Sequence, residues 1–146
     1  MKNHPISLPI AYMIETLRNQ GISDAEILNQ IKRKDITPWS HVNERFDFDE
    51  LIKLADQDQD AFTSIIEDGY QIKFITIRGL QTLLKLKFQL IEGRDYQLTG
   101  KGIKELHIKK DAWLQLKSLL SKNCLVQEEP LEENSSYRNV KIELGV

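Results

Sequence analysis

Residues 76–108 have the sequence TIRGLQTLLKLKFQLIEGRDYQLTGKGIKELHI. The predicted fold depends mainly on this stretch. Its first part predicts a helix over 77–90, because apolar residues recur at helical spacing and Thr76 is a favourable N-cap. Its second part predicts a hairpin over 96–108, in which Gly100-Lys101-Gly102 forms the turn between two strands. A helix followed closely by a hairpin indicates the α+β class, with a helical N-terminal part beside a helix–hairpin–helix part.

The chain before this stretch is predicted to be helical. Apolar residues at helical spacing indicate helices over 7–20, 24–34 and 48–69, and a short helix, third in chain order, is predicted over 38–46. Gly21 is placed to end the first of these, and Ser23-Asp24-Ala25-Glu26 is a capping box for the second. Thr37 and Pro38 are suited to the N-cap and first residue of the third. The acidic run at 56–60 predicts a break in the fourth.

The remaining segments predict a strand, a helix and a tail. Residues 71–75 alternate polar and apolar side chains, as a strand does. Asp111 is expected to cap a last helix that extends to residue 120. Residues 127–139 are rich in Glu, Asn and Ser and indicate a flexible linker. Residues 140–144 alternate again, so they either add a strand to a sheet edge or form a free tail.

The charged residues are sorted along the chain. Residues 1–69 hold 7 basic and 13 acidic side chains, residues 70–124 hold 11 and 4, and residues 125–146 hold 2 and 5. The sequence therefore predicts a helical subdomain over 6–69, a basic subdomain over 70–124 and an acidic flexible tail over 125–146. A basic block of this kind is informative about partners rather than about fold.

The polar face of the predicted helix 77–90 contains no acid. At 100° per residue its polar side chains fall within one sector about 100° wide, and they are Arg78, Gln81, Thr82, Lys85 and Gln89. Arg and Lys suit phosphates and guanine edges, and Gln suits adenine edges. This face is either a nucleic-acid contact surface or a solvated helix face that happens to lack acids.

The hairpin carries a resemblance to a known family. In Arg94-Asp95-Tyr96-Gln97-Leu98-Thr99-Gly100-Lys101-Gly102, a strand that ends in Leu-Thr is followed by a basic tip with glycines, which resembles the wing of winged helix-turn-helix DNA-binding regulators. The resemblance covers about residues 71–120. It implies DNA binding, with Lys101 and Lys104 on the phosphate backbone beside the groove. The family has two helices between its first strand and the wing, whereas this chain offers one.

The predicted N-terminal helices suggest a different binding unit. Residues 10–20, 24–34 and 38–46 resemble a simple helix-turn-helix, whose third helix would present Ser40, His41, Asn43, Glu44 and Arg45. Residues 1–46 hold 6 basic and 5 acidic side chains, too even a balance for strong phosphate attraction. We therefore favour a protein-docking or dimerisation role for these helices.

An acidic run also partly matches a calcium-binding loop. Counted from Asp56, acids fall at positions 1, 3, 5 and 12 of an EF-hand loop, the last being Glu67. Position 6, which requires Gly for a sharp turn, is Ala61. Two short helices with an acidic junction explain the run more simply.

Other motifs point away from catalysis and metals. The three histidines lie in separate segments, His107 is expected as a half-buried strand residue, and the one cysteine, Cys124, lacks an activating motif. No catalytic residue, metal site or cofactor is therefore predicted, and the chain is not expected to be an enzyme. The absence of an apolar run near about 18 residues and of paired cysteines predicts a cytoplasmic protein without membrane contact.

These patterns lead to one favoured function and one alternative. The favoured function is that of a transcription regulator or other small protein that binds duplex DNA. Its predicted contacts are Arg78, Gln81, Thr82, Lys85, Gln89, Arg94, Lys101, Lys104, Lys109 and Lys110. The alternative is an adaptor or inhibitor that regulates another protein by direct binding, and a second copy of the chain is also left open as a partner.

Overall fold

The computed structural model describes residues 4–43, 45–130 and 136–145. These residues form helices, a two-stranded sheet and a four-stranded antiparallel sheet, so the predicted α+β class is confirmed. The chain divides into two compact units, Met1–Gln71 and Ile72–Val146. We call them the N-terminal and the C-terminal unit. The boundary expected from the sequence lay between residues 69 and 70.

The N-terminal unit is mainly helical. Its elements are β1 (His4–Ile6), α1 (Leu8–Asn19), α2 (Asp24–Lys32), a 3-10 turn (Thr37–Trp39), α3 (Asp49–Gln57), α4 (Gln59–Glu67) and β2 (Tyr70–Ile72), whose last residue is the first of the C-terminal unit. Strand β1 pairs with β2. Gly21 adopts a φ of +86° after α1, in the left-handed region that glycine enters without strain. The buried core of this unit includes Ile14, Leu17, Ile27, Leu51 and Phe62.

Local caps set the helix ends as the sequence predicts. Ser23 Oγ accepts a hydrogen bond from the Glu26 backbone N–H at 3.2 Å and begins α2. Asp58 is extended, at φ −162° and ψ 98°, and its Oδ1 accepts from the Ala61 N–H at 3.1 Å to begin α4. The acidic run is thus a junction between α3 and α4, and no EF-hand loop lies between them.

The helix predicted over 38–46 does not form. After the 3-10 turn, the chain continues in tight turns: Val42 N–H bonds to the Trp39 carbonyl at 3.0 Å and Phe46 N–H bonds to Asn43 at 3.2 Å. Asn43 Oδ1 also accepts from the Arg45 N–H at 2.9 Å. Side-chain bonds of this kind compete with helical bonds, which explains the error. The prediction that a third helix presents Ser40, His41, Asn43 and Arg45 to DNA is therefore wrong. Glu44 lies outside the described residues.

The C-terminal unit joins two helices to a four-stranded sheet. Its elements are α5 (Ile77–Phe88), β3 (Gln97–Leu98), β4 (Gly102–Lys109), α6 (Lys110–Leu119), β5 (Cys124–Pro130) and β6 (Tyr137–Leu144), with antiparallel strand order β3-β4-β6-β5. Apolar side chains of both helices and of the sheet are buried in its core, among them Leu80, Leu84, Leu106, Trp113 and Ile142. The predicted helix 77–90 and hairpin 96–108 are confirmed as α5 and β3–β4.

The segment expected as a flexible acidic tail is mostly sheet. Residues 124–130 form the edge strand β5, and residues 137–144 form β6 between β4 and β5. Glu128 accepts hydrogen bonds from Trp113 Nε1 at 2.7 Å and Lys117 Nζ at 3.0 Å, both on α6. The bonds from Lys117 and Trp113 lower the pKa of Glu128. The acids that suggested a linker are thus compatible with strand, and residues 131–135 lie outside the described residues.

Two further boundaries differ from the prediction. The strand expected at 71–75 covers Tyr70–Ile72, and Phe74 beyond it is 62% exposed. The N-cap of α6 is Lys109, and Asp111 lies inside the first turn without capping it.

One helix, α5, separates β2 from β3, where a winged helix has two. The winged-helix likeness therefore stays a prediction.

Candidate nucleic-acid interface

The predicted contact face lies on α5. Thr76 Oγ1 accepts from the Gly79 N–H at 3.0 Å and begins the helix, and Gln89 ends it in the left-handed region at φ 57°. Burial of the opposite side, which includes Leu83, turns the polar face outward. Arg78 and Lys85 are exposed on that face, whereas Gln81 and Thr82 are half-buried.

Four of the five predicted α5 residues line one pocket of about 280 Å³, which we call the α5 pocket. Its lining consists of Arg78, Gln81, Thr82 and Lys85 from the helix, and Leu90, Ile91, Glu92 and Tyr96 from the segment that follows. Burial raises the pKa of Tyr96, and the neighbouring Gln81 side chain opposes that shift. Glu92 brings one acid to a surface that the helix alone leaves acid-free.

Arg94 is held against the end of α5. Its Nη2 donates to the Gln89 carbonyl at 2.6 Å, and its Nε donates to Asp95 Oδ2 at 2.9 Å. Asp95 Oδ2 also accepts from the Ile91 N–H at 2.9 Å. Desolvation favours the neutral carboxyl, but the bonds from Arg94 and Ile91 outweigh it and lower the pKa of Asp95. The guanidinium of Arg94 thus closes the turn after α5.

The hairpin lysines are exposed in a surface of mixed charge. The tip is closed by a bond from the Thr99 N–H to the Gly102 carbonyl at 2.9 Å, which leaves Lys101 exposed between them. Lys104 is paired in register with Gln97. It borders a depression of about 170 Å³ that also contains Glu105 and Glu129. Lys101 therefore has the more favourable position for an anionic partner.

Gln89 and Lys109 belong to a second, larger pocket of about 630 Å³, which we call the β4–α6 pocket. Leu90 lines both this pocket and the α5 pocket, so the two are neighbours. Lys110 lies beyond the end of β4, where its backbone N–H donates to the Ser136 carbonyl at 2.7 Å. The ten predicted contacts are thus distributed among the α5 pocket, the turn after α5, the hairpin, the β4–α6 pocket and the start of α6.

The sequence did not predict the aromatic part of the β4–α6 pocket. His107 and Tyr137 stack with ring centroids 4.5 Å apart and planes 8° apart. His107 is exposed rather than half-buried, because it lies with Lys109 on the face of β4 opposite the buried Ile108. Strand alternation alone was a sufficient signal for that exposure. The contribution of Tyr137 depends on the pairing of β4 with β6, which no local pattern indicates.

The surroundings of Cys124 do not activate its thiol. Cys124 is half-buried near Ser121, with Sγ and Oγ 3.8 Å apart, and burial raises the pKa of its thiol. A raised pKa favours the protonated thiol, which is a poor nucleophile. Within the described ranges, no group of three or more His, Cys, Asp or Glu side chains is arranged to hold a metal ion.

No family model, curated protein or solved structure matches this chain. Among the helices that the structure describes, none has both the length and the apolar character needed to cross a bilayer.

Proposed function

We propose that this chain is a cytoplasmic, non-enzymatic regulator that binds nucleic acid, duplex DNA included, through its C-terminal unit. The observation that carries the proposal is the α5 pocket, where the exposed cations Arg78 and Lys85 lie beside the polar side chains of Gln81 and Thr82. Lys101 adds an exposed cation at the hairpin tip.

Charge supports the choice of this unit. Residues 72–146 hold 13 basic and 9 acidic side chains, a balance of +4, whereas residues 1–71 hold 7 and 13, a balance of −6. Phosphate neutralisation supplies most non-specific affinity for nucleic acid. The acidic N-terminal unit lowers the general attraction of the chain to polyanions, so binding depends on the local cations of the α5 pocket and the hairpin.

Removing the two cations of the α5 pocket tests this surface. In Arg78→Gln/Lys85→Gln we expect duplex affinity to fall about tenfold and the slope of log K against log salt to become less steep by about 2. The measurement is fluorescence anisotropy of a labelled duplex between about 50 and 200 mM salt. A matched control, Lys73→Gln/Lys122→Gln, removes two exposed lysines of the same unit that border neither pocket.

The proposal fails if the wild-type chain does not bind a random duplex at the lowest salt concentration. The surface assignment fails separately if both double variants reduce the salt slope equally, because the affinity would then depend on total charge rather than on the α5 pocket.

A second candidate function, that of an adaptor or inhibitor, is favoured by an aromatic cluster in the N-terminal unit. Phe48 packs edge-to-face with Trp39 and Phe46, at centroid distances of 5.8 and 5.9 Å. Phe46 and Phe48 line a pocket of about 480 Å³ beside the exposed Asp47. An apolar anchor next to basic residues on another protein would complement this surface.

Replacing Phe46 with serine tests the adaptor function. We expect a partner that co-purifies stoichiometrically with the wild-type chain after nuclease treatment to be lost from the variant. Sedimentation of the purified chain shows whether that partner is a second copy. A partner released by nuclease would instead support the nucleic-acid function.

A further inference from the structure

The β4–α6 pocket has the size and lining of a small-molecule site. Its volume of about 630 Å³ lies within the usual range for ligand pockets, about 300–1,000 Å³. Apolar walls come from Phe88, Leu90 and Ala112, and the stacked rings of His107 and Tyr137 form an aromatic side. These groups provide surface for a flat, weakly polar ring.

Polar groups of the same pocket suit the rest of a nucleotide. The amides of Gln89 and Gln115 each contain donors and an acceptor, as the edge of a base requires. Lys109 supplies an exposed positive charge, and Asp95 is paired with Arg94 at 2.9 Å, which leaves Asp111 as the main opposing acid. The pocket therefore combines ring surface, base-edge hydrogen bonding and a cation for a phosphate.

We propose that the β4–α6 pocket binds a single nucleotide, whose base lies against the His107–Tyr137 side while its phosphate meets Lys109. Two sources share this chemistry: a free mononucleotide, and an unpaired nucleotide within a nucleic-acid strand. A paired base cannot enter the pocket, because its ring faces are covered by its neighbours in the helix.

The neighbouring α5 pocket favours the strand as the source. The two pockets share Leu90, so a strand whose phosphates contact Arg78 and Lys85 has the β4–α6 pocket within reach of its next nucleotides. This inference makes the proposed function more specific. The choice of a strand, rather than a free mononucleotide, as the source rests on the proposed function. It predicts that the C-terminal unit prefers single-stranded or locally unpaired nucleic acid over a uniform duplex.

The test measures affinity for a labelled 12-nucleotide single strand, for the same sequence in a duplex, and for unlabelled mononucleotides as competitors, in about 50 mM salt. We expect the wild-type chain to bind the single strand about tenfold more tightly than the duplex. His107→Ala should weaken single-strand binding about tenfold, since loss of one stacking side chain has an effect of that size, and should leave duplex affinity unchanged.

Two further variants separate stacking and charge from damage to the fold. His107→Phe retains a ring at the same position and should keep single-strand affinity within about twofold of wild type. Lys109→Gln should weaken binding of both the single strand and the mononucleotide, whereas Lys122→Gln, which removes an exposed lysine outside the pocket, should not. If circular dichroism shows that His107→Ala does not fold, the test of the pocket depends on Lys109→Gln and His107→Phe.

The possible outcomes distinguish this inference from the proposed function. Duplex binding without a single-strand preference, together with an unaffected His107→Ala variant, overturns this inference and leaves the proposed function intact. Equal loss of affinity in His107→Ala and His107→Phe also overturns it, since a ring would then be unnecessary. Binding of mononucleotides without any polymer supports the pocket and overturns the proposed function, and absence of all binding overturns both.

Discussion

Replacing Arg18 with methionine is expected to lower the free energy of unfolding by about 3 kcal/mol. Glu15 is only 2% exposed, and its Oε2 lies 3.0 Å from Arg18 Nη1. Removing the guanidinium takes away a positive charge 3.0 Å from this buried carboxylate. It also removes the bond from Arg18 Nη2 to the Ile66 carbonyl, 2.8 Å long, which ties α1 to the end of α4.

Tyr70 makes the same carboxylate part of a larger buried network. Its hydroxyl donates to Glu15 Oε2 at 2.5 Å and so links α1 to β2. Burial, and then the charge of Glu15, raises the pKa of Tyr70, so the phenol stays protonated and remains a donor. Burial lowers the pKa of Arg18, but Glu15 and Asp24 outweigh it and the net shift is upward. Arg18 therefore stays charged, as the network requires.

Urea unfolding followed by circular dichroism measures this effect, and two variants locate its cause. Arg33→Met changes an exposed arginine after α2 and should shift the free energy of unfolding by no more than about 0.5 kcal/mol. Glu15→Gln/Arg18→Met removes the buried negative charge while keeping an acceptor for Tyr70, so it should recover more than half of the loss. Equal destabilisation in the single and double variants would show that the charge pair is not the cause.

The parts of the fold that the sequence predicts well are those where a local bond decides the structure. Ser23 and Thr76 cap their helices with side-chain oxygens three residues before the bonded N–H, and this spacing is visible in the sequence. The α5 face is likewise predicted because its residues lie on one continuous helix. The starts of these two helices, the hairpin turn and one side of the candidate interface are therefore accessible without a structure.

The parts that were predicted wrongly depend on distant residues or on competing local bonds. The predicted linker over 127–139 begins in a strand, where Glu128 bonds with Trp113 and Lys117, which are 15 and 11 residues away along the chain. Thr37 and Pro38 are suited to begin a helix over 38–46, but bonds such as that of Asn43 Oδ1 with the Arg45 N–H favour tight turns. The β4–α6 pocket was not predicted at all, because Tyr137 reaches His107 only through strand pairing.

Replacing Gly102 with alanine is expected to lower the free energy of unfolding of the C-terminal unit by about 2–3 kcal/mol. Gly102 begins β4 and is paired in register with Glu143 of β6. A Cβ at this position would lie 3.0 Å from the Cα of Glu143, and much closer still to the carbonyl oxygen of Ile142. Both neighbours are backbone atoms of an interior strand, so the clash is relieved only by moving β4 and β6 apart.

Gly100 provides a matched control in the same turn. A Cβ built there has no atom within 4 Å, so Gly100→Ala should change the free energy of unfolding by no more than about 0.5 kcal/mol. The sequence suggests the same role for both glycines, since each adjoins Lys101 in the hairpin turn. The structure distinguishes them, because Gly102 is required for the close approach of two strands. Equal stability of the two variants in urea unfolding would contradict that distinction and the β4–β6 register on which the β4–α6 pocket depends.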